Sequence, residues 1–235
     1  MKNTESELLN YYSKNASSYD SLHMNSAHEH LLALHYVTAL IRFNNIKRIL
    51  DVGAGTGRVA RFLAKEIPDI KVISVEPSVE LREIAVKNGV NKNEIVEGNI
   101  YKLPYEDAEF DLVCAFGVFH HLEDPSLALS EMKRVSGKFL FFSDANNFGQ
   151  GTLFMRYIKN FLRTIHMWNF FVFLKTKGKK YTITIEDGLA FSFSLVDITR
   201  DLKDYSLKFL STRANNHNFL YTASHFALFA EKNNK

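Results

Sequence analysis

The sequence of 235 residues predicts an α/β fold with one mostly parallel sheet and helices on both of its faces. Short apolar runs typical of buried strands alternate with segments whose apolar residues recur at helical spacing. A glycine-rich turn joins the first run to a helix, and a polar loop separates two terminal runs as in an antiparallel hairpin. Alternation of strands and helices implies parallel strands joined by right-handed crossovers.

The predicted strands are short apolar runs bounded by glycine, proline or polar residues. They cover Arg48–Val52, Lys71–Val75, Glu94–Glu97, Phe110–Ala115, Lys138–Ser143, Tyr205–Ser211 and Phe219–Ala230. The predicted helices have apolar residues on one face. They cover Ala27–Phe43, Gly57–Glu66, Ser78–Lys87 and Pro125–Val135. The terminal pair would be joined by a loop through residues 215–217, and the sheet would have seven strands.

The composition favours one globular domain, because 46% of the residues are apolar and a chain of this length can bury one core. Cys114 is the only cysteine and lies in a predicted buried strand, so we expect a core residue without a disulfide. The first residues contain no apolar stretch of the signal-peptide type, which favours a cytoplasmic protein. A net charge of +3 is too small to indicate a nucleic-acid partner.

The run I-L-D-V-G-A-G-T-G-R-V-A-R, residues 49–61, is the most informative motif. Gly53, Gly55 and Gly57 follow the end of the first strand at alternate positions, and helical spacing begins at Arg58. Glycine allows a sharp turn and lets a ligand lie against the backbone without a Cβ in the way. A strand, a glycine turn and a helix N-terminus together predict a ligand site.

Further motifs follow the later strands. Glu76 ends the second strand about twenty residues past the glycine turn, where a carboxylate can bind a ribose diol, and Pro77 follows it. Glu76 is also placed to favour the start of the next helix through the helix dipole. Asn99 and Ile100 follow the third strand, and Phe116 ends the fourth. The carboxyl ends of parallel strands meet at one sheet edge, so we expect these residues to lie together.

These motifs, with the run Gly117–Val135 that contains a histidine pair, resemble the class I S-adenosylmethionine-dependent methyltransferases. The resemblance is to their small-molecule group (methyltransferase type 11/25-like) and extends from about Ile46 to Ser143. It implies a Rossmann-like sheet and S-adenosylmethionine as cofactor. The cofactor contacts that it implies are Tyr19, Asp51, Gly53, Ala54, Gly55, Glu76, Pro77, Asn99, Ile100 and Phe116.

The resemblance gives some of these residues a specific role. Asp51 would anchor the turn amides and the ammonium group of the cofactor. Asn99 stands where the family commonly has aspartate, and its carbonyl oxygen can still accept a bond from the adenine amino group. Tyr19 lies in an N-terminal segment that folds over the cofactor in the family. A dinucleotide site is the alternative, but its G-x-G-x-x-G pattern would need glycine at Arg58, or would end on Ala60.

His120 and His121 are the candidate catalytic bases because they follow the fourth strand at the ligand-binding edge of the sheet. A pKa near 6.5 is usual for histidine and suits a base at neutral pH. Asp144, at the end of the fifth strand, is a second choice. The alternative is that one histidine caps the next helix or packs beneath it. No metal site is predicted, because no group of ligand-type residues has a suitable spacing.

We expect a single domain over residues 1–235, with an N-terminal helical cap over 1–45 and a lid insertion over 146–195. Residues 152–175 of the lid have helical spacing, with an apolar stripe opposite a basic one. The basic stripe consists of Arg156, Lys159, Arg163 and His166. It is either a solvated face or a contact for an anionic partner or a membrane surface. Lysines at 175, 177, 179 and 180 either bind an anionic acceptor or form an exposed turn, and residues 181–195 predict a hairpin.

The sequence therefore predicts S-adenosylmethionine-dependent methyl transfer to a small-molecule acceptor. The acceptor atom that fits best is a hydroxyl of an anionic or sugar-like metabolite, with a histidine as base. The alternatives are a lipid-linked acceptor at the membrane surface and a cofactor-binding subunit without catalysis. A nucleic-acid substrate is not expected, because neither a base-methylation signature nor an extended basic tail is present. The oligomeric state is left open.

Overall fold

The computed structural model describes residues 2–15, 27–184, 188–213 and 222–233. Its strands, numbered along the chain, are β1 (Arg48–Val52), β2 (Lys71–Val75), β3 (Ile95–Val96), β4 (Phe110–Phe116), β5 (Ser136–Ala145), β6 (Tyr181–Thr184), β7 (Gly188–Phe191), β8 (Tyr205–Arg213) and β9 (His225–Lys232). Its helices are α1 (Lys2–Asn15), α2 (Ala27–Phe43), α3 (Arg58–Glu66), α4 (Val79–Lys87), α5 (Pro125–Val135), α6 (Leu153–Thr164) and α7 (Trp168–Lys175).

The main sheet has seven strands in the order β3-β2-β1-β4-β5-β9-β8. β1 pairs in parallel with β2 and β4, and parallel pairs also join β2 to β3 and β4 to β5. β9 is antiparallel to both of its neighbours, β5 and β8. The predicted sheet with its antiparallel terminal hairpin is confirmed. The strand order places the ends of β1 and β4 side by side, which is where ligands bind in open α/β sheets.

The central strands read as continuous apolar runs because both of their faces are covered. Ile49 and Leu50 are consecutive in β1, are fully buried and belong to the cores on opposite faces of the sheet. Leu112 and Val113 in β4 divide in the same way. Side chains alternate between faces along a strand, so burial on both sides requires apolar residues at every position.

Helix α2 supplies part of one of these cores. Leu34, Val37 and Ile41 are buried against the sheet at the spacing of one helix face. Helix α1 instead contacts α4 and the small hairpin formed by β6 and β7. Of the two N-terminal helices in the predicted cap, α1 therefore covers the ligand edge and α2 forms part of the core.

The junction before β5 differs from the prediction. The sequence predicted a strand from Lys138, but α5 runs to Val135 and β5 begins at Ser136 with no loop between them. The Ser136 hydroxyl donates to the Phe139 carbonyl, and a register shift in the pairing with β4 accommodates the extra residues. The predicted start of the last strand at Phe219, and the loop at 215–217, lie outside the described residues.

The lid also differs from the prediction in its helices. Residues 152–175 form two helices, α6 and α7, with a break at His166, which has a φ of 59°. A positive φ is incompatible with a continuing right-handed helix, so the chain changes direction there. The predicted hairpin is confirmed as β6 paired with β7. Among the described residues, no helix combines the length and the apolar character needed to cross a bilayer.

We predict that Gly57→Ala costs about 2–4 kcal/mol of unfolding free energy. Gly57 has a φ of 77°, and an added Cβ would overlap the Val90 side chain and lie 3.0 Å from the Ala85 Cβ. Gly89→Ala is the matched control, because Gly89 has a φ of 105° but no atom within 4 Å of an added Cβ. Urea unfolding should show a larger loss at 57 than at 89.

The double variant Gly57→Ala with Val90→Ala separates crowding from backbone strain. Its loss should fall short of the sum of the single losses by about 1 kcal/mol, because removal of the valine methyl groups relieves the overlap. Strict additivity would contradict the close packing of α3 against this part of the chain.

Candidate active site

A cavity of about 930 Å³ lies at the carboxyl ends of β1, β2 and β4. We call it the first cavity. Its lining includes Gly53, Gly55, Glu76, Pro77, Asn99, Ile100 and Phe116, as the sequence predicted. Gly98, Gly117, Val118 and Leu122 complete the wall formed by the loops after β3 and β4.

The glycine turn forms the floor of the first cavity and requires backbone angles that favour glycine. Gly53 and Gly55 have φ values of 73° and 55°. A Cβ on Gly53 would lie 2.6 Å from a methyl group of Val118. The amides of Gly53 and Ala54 donate to the Val75 carbonyl at 2.8 and 3.1 Å, which holds the turn against the end of β2.

Glu76 holds the rest of this turn through both of its carboxylate oxygens. Oε2 accepts from the Gly55 amide at 2.8 Å, and Oε1 accepts from the Ser78 amide at 3.0 Å. Burial raises the pKa of Glu76, and the bonds from Ser78 and Gly55 and the charge of Arg82 act in the opposite direction. Each carboxylate oxygen keeps a further lone pair, so the side chain can accept hydrogen bonds from a ribose diol.

Asp51 does not anchor the turn, and the prediction that it bonds the turn amides is wrong. These amides bond Val75 and Glu76, whereas Asp51 is buried with Oδ1 3.9 Å from the Cys114 sulfur. Its Oδ2 is buried without a hydrogen-bond partner among the described groups. Burial, followed by the charge of Glu76, raises the pKa of Asp51 to about 7. Among the described residues, Asp51 and Ala54 are not part of the lining of the first cavity.

Asn99 forms the edge of the first cavity after β3. Its Oδ1 accepts from the Tyr101 amide at 2.9 Å in an Asx turn. The oxygen that the resemblance assigned to adenine therefore already accepts a hydrogen bond within the protein. Ile100, Leu81 and Tyr101 supply an apolar wall beside it. This combination of one amide and an apolar wall fits a flat heterocycle.

Helix α1 contributes residues that sequence reasoning did not identify. Leu8 and Tyr12, one helical turn apart, line the first cavity, and the Tyr12 ring meets the His121 ring edge-on at 6.2 Å. Tyr11 instead lies against Gly188, where an added Cβ would be 2.7 Å from its ring. Tyr19, predicted to contact the cofactor, lies outside the described residues. The four-residue spacing of Leu8 and Tyr12 was the signal available in the sequence.

The histidine pair lies between the first cavity and a second one. Both residues are in a 3₁₀ turn after β4, with ring centroids 3.9 Å apart. His121 lines the first cavity, and His120 lines the second. His121 Nδ1 bonds the Leu189 carbonyl and His120 Nδ1 bonds Asp144 Oδ1, each at 2.6 Å. A carbonyl or carboxylate can only accept, so each Nδ1 carries the proton that it donates, and a ring without a second proton has its lone pair on Nε2.

Asp144 organises this turn. Its Oδ1 accepts from His120 and from the Ala145 amide at 2.7 Å, and its Oδ2 accepts from the Phe119 amide at 2.8 Å. Burial acts to raise the pKa of Asp144, but the charge and hydrogen bond of His120 and the charge of His225 outweigh it. The pKa therefore lies below its ordinary value. Asp144 thus fits the role of an orienting carboxylate for His120 better than the predicted role of second-choice base.

The second cavity, of about 920 Å³, lies between His120 and the lid. Trp168, Phe191 and Phe193 supply aromatic walls, and Lys159, Lys175 and Lys180 supply positive charge. Lys159 Nζ donates to the carbonyl and side-chain oxygens of Asn147, at 2.7 and 3.1 Å, and to the Gln150 carbonyl at 3.3 Å. These bonds use its three donors, which leaves Lys175 and Lys180 to meet an anionic ligand.

The predicted basic stripe is turned towards the protein. Arg156 donates to the Gly151 carbonyl at 2.9 Å, and Arg163 forms an ion pair with Asp197 at 2.7 Å. Lys159 is partly buried by the contacts just described. These three side chains are therefore half-buried and bonded to protein groups, whereas His166, the fourth member of the predicted stripe, is exposed. Trp168, at the start of α7, is buried, and its Nε1 donates to Ser192 Oγ at 2.7 Å.

Comparison with known proteins identifies the part of the chain that forms the first cavity. Residues 50–141 match a family model described as a methyltransferase domain. A demethylmenaquinone methyltransferase of Thermotoga maritima is 35% identical over 100 residues, which are 42% of this chain and 43% of that protein. The chain spans about two fifths of the length of such curated relatives.

Solved structures share the whole fold at low sequence identity. A methyltransferase of Thermotoga maritima described as a possible histamine N-methyltransferase has a TM-score of 0.60 and 20% identity, covering 95% of this chain and 99% of that one. Magnesium protoporphyrin IX methyltransferase from Synechocystis, solved with bound S-adenosylmethionine, has a TM-score of 0.56 and 15% identity. The aligned region covers 87% of this chain and 80% of that structure.

Residues 50–141 therefore match a methyltransferase domain of the type 11 group, and the chain shares its fold with methyltransferase structures solved with bound S-adenosylmethionine and S-adenosylhomocysteine. This match favours the predicted S-adenosylmethionine site over the dinucleotide alternative. The first cavity fits the cofactor, because its glycine floor admits close backbone contact and Glu76 offers a carboxylate to a diol. Asn99 and Ile100 stand beside it, as the resemblance implied.

We predict that Glu76→Gln lowers the affinity for S-adenosylmethionine by about tenfold or more. Glutamine keeps the shape but has a single acceptor oxygen, so one of the amides of Gly55 and Ser78 loses its partner. Glu83→Gln, on the exposed side of α4, is the matched control. Calorimetric titration measures the affinity, and a thermal melt confirms folding. Equal affinity in both variants would show that the cofactor does not bind beside Glu76.

Proposed function

We propose that this protein transfers a methyl group from S-adenosylmethionine to a hydroxyl of a small anionic metabolite. The observation that carries the proposal is the position of the histidine pair, with one ring on each cavity. The first cavity then holds the cofactor and the second holds the acceptor. The cofactor, when bound, supplies an electrophilic methyl group on a sulfonium.

His120 is the proposed base for the acceptor hydroxyl. Its Nδ1–H bond to Asp144 directs the lone pair to Nε2, which is the atom that takes the hydroxyl proton. The imidazolium that forms lies 2.6 Å from a carboxylate, so its charge is stabilised without movement. The Phe119 amide bond to the same carboxylate fixes the turn that carries His120. Orientation of the reacting groups contributes the larger part of catalysis in a displacement of this kind.

His121 has a different proposed role, since it lines the first cavity and not the second. Its Nδ1–H is held by the Leu189 carbonyl of β7, so its ring couples the lid hairpin to the wall of the cofactor site. Tyr12 packs on the same ring. We therefore assign His121 a positioning role, in which its ring holds the wall between the two cavities in place.

Features of the second cavity support an anionic acceptor. Lys175 and Lys180 stand at its exposed side, and their charge is not opposed by a carboxylate in the described lining. Trp168, Phe191 and Phe193 favour a flat or ring-shaped body. Relatives act on a menaquinone precursor and on a magnesium porphyrin, by their names, so ring-shaped acceptors occur among them.

We predict that His120→Gln lowers kcat by about 10²–10⁴-fold and leaves the affinity for S-adenosylmethionine unchanged. The reason is that His120 borders the acceptor cavity and not the cofactor cavity. The assay follows labelled methyl transfer to a panel of small hydroxy acids and phosphorylated hydroxy compounds. His35→Gln, an exposed histidine on α2, is the matched control.

Full activity of His120→Gln would remove His120 as the base. Cofactor binding by the wild-type protein without transfer to any member of the panel would favour the alternative of a subunit without catalysis. The cofactor titration thus separates a failure of the base assignment from a failure of the cofactor site.

We also predict that Lys175→Gln with Lys180→Gln raises KM for an anionic acceptor by about tenfold and changes kcat little. A charged hydrogen bond to the bound acceptor contributes mainly to uniform binding, so its loss appears in KM. Lys177→Gln is the control, because Lys177 is exposed in the same loop and is not part of the described cavity lining. An unchanged KM would contradict an anionic group at this side of the cavity.

A further inference from the structure

The lid helix α6 has its apolar face towards solvent and its basic face towards the protein, the reverse of an ordinary surface helix. Its basic side chains bond the protein, as described above, while its aromatic side chains face outward. Phe154, Tyr157 and Phe161 are 72%, 76% and 63% exposed. A surface helix of a globular protein normally buries its apolar stripe. The outward apolar stripe therefore indicates a contact that the described residues do not supply.

Helix α7 extends this outward apolar surface. Phe170 and Leu174 are 55% and 59% exposed, and Ile165 stands exposed between the two helices. We call Phe154, Tyr157, Phe161, Ile165, Phe170 and Leu174 the apolar lid face. Large exposed apolar residues are concentrated in the lid to an extent that marks an interaction surface.

The segment that carries the apolar lid face contains charges of one sign only. No aspartate or glutamate occurs in the sequence from Ala145 to Ile185. The arginines and lysines of the same segment are Arg156, Lys159, Arg163, Lys175, Lys177, Lys179 and Lys180. Of these, Lys177 and Lys179 are exposed beyond the end of α7. An apolar surface in a segment whose own charges are all positive complements a surface that is apolar within and anionic at its boundary.

We propose that the apolar lid face docks onto an anionic lipid bilayer. Aromatic and aliphatic side chains would enter the boundary between headgroups and acyl chains, and Lys177 and Lys179 would contact the anionic headgroups. A second copy of the chain is a poorer occupant. A twofold contact places the same patch on both subunits, so the positive borders would oppose each other.

Docking in this orientation would place the second cavity next to the bilayer. Val172 and Lys175 of α7, and Thr176 after it, line that cavity and belong to the same two-helix lid. Binding to the bilayer does not depend on the proposed reaction. It would nevertheless bring a membrane-associated acceptor to the cavity entrance.

Co-sedimentation of the full chain with vesicles tests this proposal. The vesicles are an equimolar mixture of phosphatidylcholine and phosphatidylserine, with phosphatidylcholine alone for comparison. We expect the wild-type protein to pellet with the anionic vesicles and to remain largely in the supernatant with the neutral ones. The triple variant Phe154→Gln, Phe161→Gln and Phe170→Gln should bind the anionic vesicles at least about tenfold more weakly than the wild type. The double variant Lys177→Gln with Lys179→Gln should lose about fivefold in vesicle affinity for each charge that is removed.

The chain offers matched controls for both kinds of change. Phe43→Gln alters an aromatic residue that is 85% exposed on α2, away from the lid. Lys65→Gln with Lys92→Gln removes two exposed charges elsewhere on the surface. These controls should pellet like the wild type. Titration with S-adenosylmethionine shows that each variant is folded and separates this test from the cofactor assignment.

Several results would overturn the proposal. The first is no binding of the wild-type protein to anionic vesicles. The second is equal binding by the aromatic triple variant. The third is a dimer in analytical ultracentrifugation that the triple variant dissociates, which would assign the face to a second copy.

Discussion

The bond between Glu76 and the Gly55 amide is the interaction on which the site depends. It ties the glycine turn after β1 to the end of β2, and the second carboxylate oxygen fixes Ser78 at the start of α4. Burial of a carboxylate without hydrogen-bond donors would cost folding free energy. Without an acceptor for its amides, the glycine turn would not be held in its positive-φ conformation. The same side chain therefore stabilises the floor of the first cavity and presents its remaining lone pairs to a ligand.

Asp144, at the end of β5, stabilises the histidine turn as Glu76 stabilises the glycine turn. It holds the Phe119 amide, the His120 ring and its own following amide, so that the histidine pair stands between the two cavities. The His225 ring lies close enough to Asp144 for its charge to act on it, and burial lowers the pKa of His225 to about 4. At neutral pH His225 is therefore uncharged, and its charge acts on Asp144 only in acid, while the Asp144 carboxylate orients His120.

The sequence predicted what local patterns determine. The bounds of β1, β2, α2 and α5 agree with the structure, because continuous apolar runs and helical spacing reflect burial directly. Asp124 and Pro125 also mark the start of α5. What the sequence did not reveal depends on tertiary partners. Spacing identified the two stripes of α6 but not which of them faces the protein. Long-range contacts also decide that Glu76, and not Asp51, holds the glycine turn.

Calorimetric titration of the full chain with S-adenosylmethionine, S-adenosylhomocysteine and NAD tests the central claim most directly. If the first cavity is the cofactor site, the two sulfur compounds bind with micromolar affinity and NAD does not bind. Binding of NAD alone would contradict the assignment of the glycine turn at residues 53–57. Absence of binding by all three would contradict a preformed cofactor site.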